Sequence, residues 1–199
     1  MYTLISGSPK PVNSNSLKFL KNISKNIDNY KIFELKKDKY IKIIENIEKS
    51  DVMVFAFPLY IDSPTSITLS FLDYIIDNKI NLKNKKVYVL INCGFREGEQ
   101  NITAINIMKN WCGKVGATYS GSIMIGAGEI VGKTKYKFIS FSALKKLNEF
   151  SSCIKLKKES KDIIITMNVL NNRMYCYLAN ISWTKKGKLN NLSKRELMD

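Results

Sequence analysis

Residues 1–16 read Met1-Tyr-Thr-Leu-Ile-Ser-Gly-Ser-Pro-Lys-Pro-Val-Asn-Ser-Asn-Ser16, and this stretch decides the fold. A short apolar run, Tyr2 to Ile5, changes abruptly into Ser, Gly, Pro, Asn and Lys. From Leu17 onward, apolar residues recur at helical spacing. A strand, a small polar loop and a helix in this order direct backbone N–H groups and the positive helix end toward an anion.

The polar loop offers several donors to such an anion. Ser8, Ser14 and Ser16 carry hydroxyls, Asn15 an amide, and Lys10 a full positive charge. The loop has neither the Gly-Lys-Ser/Thr ending of a Walker A motif nor the further glycines of a dinucleotide-binding fingerprint. We interpret it as a phosphate-binding loop of another kind. The alternative is that its serines only cap the helix.

Length and composition indicate one globular domain. The chain has 199 residues, 45% of them hydrophobic, and we expect a single domain over 1–199, with its core in 1–160 and a C-terminal extension in 161–199. No apolar run approaches the ~20 residues that span a bilayer, and the start does not resemble a signal peptide, so we expect a cytoplasmic protein. The four cysteines are widely separated, which favours free thiols and predicts no metal site.

The net charge is +15, with 32 Lys and Arg against 17 Asp and Glu. Such basicity occurs in proteins that bind nucleic acid or an acidic partner. The lysines are nevertheless spread along the chain among Ile and Asn, with the richest clusters at 133–137, 155–158 and 185–188. We therefore favour a solvated basic face and expect no nucleic-acid partner.

Five apolar runs alternate with helical patterns through residue 156. The runs lie at 2–5, 31–35, 51–60, 86–92 and 119–125, and the third and fourth are almost continuously apolar. Near-continuous hydrophobicity marks strands that are covered on both faces. The alternation predicts a doubly wound α/β fold: a five-stranded parallel sheet of order 2-1-3-4-5 with helices on both faces.

Residues 161–199 form a less regular, helical extension. Residues 162–167 are strand-like but short, and residues 172–186 carry Met174, Ile181, Trp183 and other apolar side chains at helical spacing. A helix packed on the fold is the common outcome of such a pattern. Because lysines follow it, a membrane-surface element and a dimer contact are alternatives.

Three loops at the carboxyl ends of predicted strands have distinctive chemistry. Ligands of open parallel sheets bind beyond these ends, where the strand order switches, and strands 1, 3 and 4 are neighbours in the predicted order. The candidate ligand-binding residues are Ser8, Lys10, Ser14, Asn15 and Ser16 in the first loop, Pro58, Leu59, Tyr60 and Asp62 in the second, and Asn92, Cys93, Gly94 and Phe95 in the third.

Phosphate donors beside apolar and aromatic residues predict a flat aromatic ligand with a phosphate tail, for which flavin mononucleotide (FMN) is the first candidate. The individual residues also have simpler interpretations. Tyr60 and Phe95 are of a type common in the core or at its rim. Asp62 and Gly94 are typical of turns.

Four motifs resemble the flavodoxin-like NAD(P)H-dependent FMN reductase superfamily. They are Gly7-Ser-Pro-Lys10 with Ser14-Asn-Ser16, Pro58-Leu-Tyr60 with Asp62, Asn92-Cys-Gly-Phe95, and Gly126-Ala-Gly-Glu129. The match covers most of residues 1–130. It implies noncovalent FMN, with the phosphate in the first loop and the isoalloxazine ring between the second and third. Lys10 stands where the family often has Arg, which keeps the charge without the bidentate geometry. Dimers are common in this family, so a homodimer is a further expectation.

The chain contains no histidine, which removes the commonest general base and the usual catalytic triads. Flavin chemistry does not need one, since the cofactor itself accepts the hydride. We expect an enzyme that passes hydride from NADH or NADPH to FMN and then reduces a small-molecule acceptor: a quinone, a flavin, or a nitro or azo compound. No side chain is assigned a catalytic role, and Cys93 is a candidate thiol beside the flavin or a packing residue.

Two alternatives remain open at this point. The first is a flavodoxin-type electron carrier without turnover of its own, which at +15 would need an acidic partner. The second is a basic binding module that kept the fold without the flavin.

Overall fold

Six parallel strands form one sheet in this computed structural model. It describes residues 1–10, 13–132, 137–168, 170–193 and 195–197, with only the backbone described at 137–140. The strands are β1 (Tyr2–Ser6), β2 (Tyr30–Glu34), β3 (Val52–Pro58), β4 (Lys86–Asn92), β5 (Thr118–Ile125) and β6 (Ile163–Ile165). Their order is β2-β1-β3-β4-β5-β6, and all neighbours pair in parallel.

The predicted parallel sheet and the order of its first five strands are confirmed, but the strand number is six instead of five. The additional strand, β6, pairs Ile163 with Ile123 and Ile165 with Ile125. It lies in the stretch that the sequence pattern had placed in the extension. Three residues are too few to show a strand period, so only pairing with β5 identifies it as part of the sheet.

In the described part of the chain, seven helices and two 3-10 turns connect or follow the strands. They are α1 (Asn15–Ser24), α2 (Tyr40–Glu48), α3 (Ser66–Asp77), α4 (Ile102–Val115), α5 (Gly128–Val131), α6 (Lys137–Lys155) and α7 (Asn172–Leu189), with turns at Lys37–Lys39 and Gly98–Asn101. Helix α1 begins before the first apolar residue of its pattern because Ser14 caps it. Helix α4 ends at Gly116, whose φ of 72° is the left-handed conformation expected of a glycine cap.

The helices cover both faces of the sheet. On one face, α2, α3 and α4 pack on alternate residues of the central strands, among them Phe55 and Phe57. On the other face, Tyr88 of β4 meets Phe150 of α6, with ring centroids 6.0 Å apart, and Ser151 Oγ of α6 donates to Ile23 O of α1. Residues 52–57 of β3 are buried throughout, as the unbroken apolar run predicts.

The chain divides into two compact units, Met1–Thr166 and Met167–Asp199. The second unit consists of α7 and the segments flanking it. Asn171 caps α7 by accepting from Met174 N at 2.9 Å, and after the helix Leu192 N donates to Gly187 O at 2.9 Å. None of the helices within the described ranges combines the length and apolarity needed to cross a bilayer. Of the lysine cluster at 133–137, residues 133–136 lie outside the described residues, and only the backbone is described at 137.

Candidate functional site

The three loops that follow β1, β3 and β4 lie at one edge of the sheet. These strands are consecutive, and their registers match Ser6 with Ala56 and Pro58 with Asn92. We call the loops loop 1 (residues 7–16), loop 2 (residues 58–64) and loop 3 (residues 92–98). The predicted neighbourhood of the three loops is therefore present, although Pro11 and Val12 of loop 1 lie outside the described residues.

Loop 1 is fixed to the start of α3. The Thr65 hydroxyl donates to Gly7 O at 2.6 Å and bonds Thr68 Oγ1 at 2.8 Å. A Cβ at Gly7 would overlap Thr68 Oγ1, so only glycine fits this position. The sequence reasoning missed both threonines, although Thr65 directly after Pro64 is a helix-start signal.

The predicted phosphate donors fall into two groups. Ser14 and Ser16 are buried, and their oxygens accept from Leu17 N and Asn92 Nδ2, both at 3.1 Å. Because both serines accept in these bonds, the O–H of each is left to donate. Ser8 and Asn15 are half-buried and Lys10 is exposed.

The N-terminus of α1 adds backbone donors to this loop. The N–H groups of Asn15 and Ser16 have no acceptor within the described residues, as is usual in a first helical turn. These N–H groups and the ammonium of Lys10 are donors of the kind that bind anions at helix N-termini.

Loop 2 forms a tight turn. The backbones of Tyr60 and Ser63 bond each other in both directions at 3.1 Å, and Ile61 and Asp62 between them have φ of 48° and 54°. Leu59 is buried and its N–H donates to Asn92 O at 2.8 Å. The turn leaves the Tyr60 ring 53% exposed and Ile61 fully in solvent. A positive φ is rare for a β-branched residue, so Ile61 holds local strain.

Asn92 connects loop 3 to the other two loops. Its side-chain Nδ2 donates to Ser16 Oγ at 3.1 Å and to Phe57 O at 3.3 Å. Its backbone carbonyl accepts from Leu59 N. The side chain is buried, so it acts between the loops and does not reach into solvent. Pro58 at the end of β3 lies opposite it in the register.

Cys93 is enclosed by its own loop. Its sulfur lies 3.5 Å from Glu97 O and 3.7 Å from Phe95 O, and Asn101 Nδ2 donates to it at 3.4 Å. Burial raises the pKa of the thiol, an effect larger than the opposing hydrogen bond from Asn101. The thiol is therefore protonated at neutral pH, which favours the packing role over a reactive one.

Gly94 and Phe95 form the open part of loop 3. A Cβ at Gly94 would meet no atom within 4 Å, and the Phe95 ring is 56% exposed. Tyr60 and Phe95 are thus two large aromatic side chains exposed on the loops of one sheet edge. Neither is part of the core.

A fourth segment, residues 126–132, crosses loop 3 and the start of α1. Ala127 N donates to Phe95 O and Gly128 N to Cys93 O. A Cβ at Gly128 would lie 2.8 Å from Asn92 Cβ, and one at Gly132 would lie 2.6 Å from Asn15 Oδ1. The sequence noted Gly126–Glu129 only as a family motif. The glycines at 126, 128 and 132 were the feature of the sequence that could have indicated the close contacts of this segment with loop 3 and α1.

Comparison with solved structures identifies the architecture. The Streptococcus pneumonia TIGR4 flavodoxin has 12% identity and a TM-score of 0.58, with 79% of this chain and 99% of that chain covered. The chain has a flavodoxin-like fold.

Two reductases share this fold. The NADPH-quinone reductase from P. pentosaceus has 14% identity and a TM-score of 0.60, with 78% of this chain and 97% of that chain covered. A protein described as an NADH:FMN oxidoreductase, in its apo form, has 16% identity and a TM-score of 0.60, with 80% and 90% covered. No family model and no curated protein matches the chain. The structural neighbours are of the kinds that the sequence resemblance names, and at these identities they establish the fold.

Proposed function

We propose that this protein is an FMN-binding, NAD(P)H-dependent oxidoreductase that reduces a small-molecule acceptor. The observation that carries the proposal is the convergence of an anion site and two exposed aromatic rings on adjacent loops of one sheet edge. The reductases among its structural neighbours support the same activity. A quinone, a free flavin, and a nitro or azo compound are the acceptor classes we propose.

The donor set of loop 1 fits a phosphate monoester. The N–H groups of Asn15 and Ser16, the hydroxyls of Ser8, Ser14 and Ser16, and the Lys10 ammonium are all donors. A dianion accepts several such bonds, and charge-assisted ones are the strongest. Because Leu17 N and Asn92 already orient Ser14 and Ser16, these two serines would need little further ordering to bind it.

Loops 2 and 3 fit a flat ring. Leu59 would provide an apolar floor fixed by its bond to Asn92 O, and Tyr60 an exposed aromatic face. Gly94 would leave room for the ring, since an added Cβ there would meet no described atom within 4 Å. Phe95 would cover the ring edge. Bound FMN would supply the hydride acceptor, chemistry that no side chain of this chain provides.

The protein's own residues would position this group and exclude water from it. The backbone bonds of Phe95 O and Cys93 O to segment 126–132 keep loop 3 in place. No histidine is available for proton transfer, so the protons that the acceptor takes up on reduction would come from water.

The test is to bind FMN to the purified protein and then measure turnover. We expect a yellow protein, or an apoprotein that takes up FMN more tightly than riboflavin, because riboflavin lacks the phosphate that loop 1 would hold. Oxidation of NADH and NADPH is followed at 340 nm with a benzoquinone and an azo dye as acceptors.

Each outcome separates the proposal from its alternatives. FMN uptake without NAD(P)H oxidation would assign the flavodoxin-type carrier, which the flavodoxin neighbour also supports. A protein that takes up neither flavin would refute the proposal and favour a binding module. Equal affinity for FMN and riboflavin would refute only the proposed role of loop 1 in holding the phosphate, and not flavin binding itself.

A further inference from the structure

Helix α7 carries large apolar side chains that are exposed among the residues that the structure describes. Tyr177 is 67% exposed and Trp183 64%, and Met174, Leu178 and Ile181 are each about half exposed. The helix has 18 residues, so it is about 27 Å long. Exposed apolar surface of this extent on a helix marks a contact site.

One side of α7 carries a stripe of apolar residues that is followed, toward the C-terminus of the helix, by lysines. Met174, Tyr177 or Leu178, and Ile181 follow each other at helical spacing, and Lys185 and Lys188 continue the same stripe. On another side of the helix, the Lys186 ammonium lies 4.7 Å from the centroid of the Trp183 ring. In the N-terminal part of α7 this stripe is apolar, with Arg173 beside it, and the C-terminal part combines an indole with ammonium groups.

The charge of α7 selects its partner. Residues 172–189 contain Arg173, Lys185, Lys186 and Lys188 and no Asp or Glu. A second copy of the chain would bring the same positive charges to a symmetric contact, which opposes association. An anionic partner complements them. Of the anionic partners, a lipid surface also accepts apolar side chains from a helix without requiring a matching shape.

We propose that α7 binds an anionic lipid surface. The apolar side chains of its N-terminal part enter the boundary between headgroups and acyl chains, and the lysines of its C-terminal part contact the headgroup phosphates through their flexible stems. Trp183 and Lys186, on another side of α7, belong to the same C-terminal part of the helix as Lys185 and Lys188, so the indole would be held close to the headgroups. The protein is held at the surface and does not span the bilayer.

Co-sedimentation of the full chain with vesicles tests this proposal. We expect binding to phosphatidylcholine vesicles that contain phosphatidylglycerol and none to phosphatidylcholine alone, with weaker binding at higher salt. The triple variant Lys185→Gln/Lys186→Gln/Lys188→Gln should bind on the order of 100-fold more weakly. The variant Leu178→Ser/Ile181→Ser should lose at least about tenfold, because it keeps every charge and removes only apolar contact.

A matched control separates α7 from the general charge of the chain. The variant Lys25→Gln/Lys42→Gln/Lys49→Gln removes three exposed lysines of the first unit and has the same net charge as the α7 triple variant. It should bind vesicles as the unaltered chain does. Equal losses in the two triple variants would assign binding to total charge and overturn the proposal.

Trp183 gives an independent readout. The other tryptophan, Trp111, is buried and donates to Leu72 O, so Trp111→Phe leaves Trp183 as the only indole. Its emission should shift to shorter wavelength with anionic vesicles. No shift and no sedimentation at low salt would overturn the proposal, as would binding to duplex DNA or polyaspartate without binding to vesicles.

Discussion

The Asn92 side chain donates to Ser16 Oγ at 3.1 Å and thereby joins the end of β4 to the first turn of α1. The same amide donates to Phe57 O. One buried side chain therefore holds together the loops for which the sequence predicts phosphate and ring contacts. Ser16 accepts this bond and keeps its own proton to donate. The roles of Asn92 and Ser16 in binding FMN stay predictions.

Asn92→Ala should lower the free energy of unfolding by about 1–3 kcal/mol, because it removes two buried hydrogen bonds and leaves Phe57 O without its side-chain donor. Urea denaturation measures this loss. FMN affinity should fall as well, since loops 1 and 3 lose their link. Asn106→Ala, at an exposed position of α4, is the control and should change neither quantity. An unchanged unfolding midpoint in Asn92→Ala would show that the link does not form in solution.

Lys10→Ala should weaken FMN binding by about 1–3 kcal/mol if the ammonium bonds the phosphate. Riboflavin binding should not change, and fluorescence titration with both ligands makes the comparison. Lys10→Arg should restore the affinity for FMN. Lys25→Ala, after the far end of α1, provides the control. An equal loss for both ligands would place Lys10 at the ring and not at the phosphate.

Gly7→Ala should destabilise the fold by about 1–3 kcal/mol, since its Cβ would overlap Thr68 Oγ1 and lie 3.2 Å from Phe57 Cβ. Thr68→Ala removes the overlapping atom, so the double variant should lose less than the sum of the single losses. Thermal or urea unfolding of the unaltered chain, the two single variants and the double variant gives the coupling free energy between positions 7 and 68. Gly94→Ala meets no neighbour and should stay within about 0.5 kcal/mol of the unaltered chain. Strict additivity at positions 7 and 68 would disprove the contact.

Asp162 should make stability depend on acid pH. Burial raises the pKa of its carboxyl, but hydrogen bonds from Lys109, Tyr119 and Ser122 outweigh burial and hold the pKa below its ordinary value of 3.8. The stabilisation is therefore complete above that value and is lost as the pH falls through the lowered pKa.

Asp162→Asn should cost about 1–2 kcal/mol at neutral pH, after allowance for partial exposure. The difference from the unaltered chain should shrink below about pH 3.8. Urea unfolding across the acid range measures both effects. Asp73→Asn, at an exposed position of α3, is the control and should leave the pH dependence of the free energy of unfolding unchanged. A difference that does not vary with pH would rule out the charged carboxylate as its source.

The four thiols should react with a thiol reagent in a fixed order. Cys176 is exposed, Cys153 half-buried, and Cys93 and Cys112 buried. Burial raises the pKa of Cys112 to about 12 and also raises that of Cys93, so neither is a thiolate at pH 8. In the native protein we expect Cys176 to react fast and Cys153 slowly, and in urea we expect all four thiols to react. Cys176→Ser should abolish the fast phase, and a fast phase that survives it would contradict the exposure.

The sequence predicts those parts of the fold that depend on local pattern. The unbroken apolar run at 52–57 is buried, because strands that are covered on two faces need apolar residues throughout. Helix capping by a serine, the alternative role for the loop 1 serines, is also present, since Ser14 accepts from Leu17 N. The loops after β1, β3 and β4 were also predicted from composition and strand order.

Contacts between distant residues were not predictable in the same way. Three hydrogen bonds of the site join residues that neither the helical nor the strand period brings together. They join Thr65 with Gly7, Asn92 with Ser16, and Cys93 with Asn101. The strand β6 belongs to this class too, because Ile163–Ile165 becomes a strand only through pairing with β5.

The amino-acid sequence alone determined the alternation of strands and helices, the donor-rich first turn and the excess of lysine, since each follows from the types and spacing of neighbouring residues. The tertiary structure alone decided which side chains face one another: Asn92 with Ser16, Thr65 with Gly7, and the exposed apolar side chains of α7 with solvent. Hydrogen bonds and burial depend on the distance between atoms in space, and chain separation does not specify that distance.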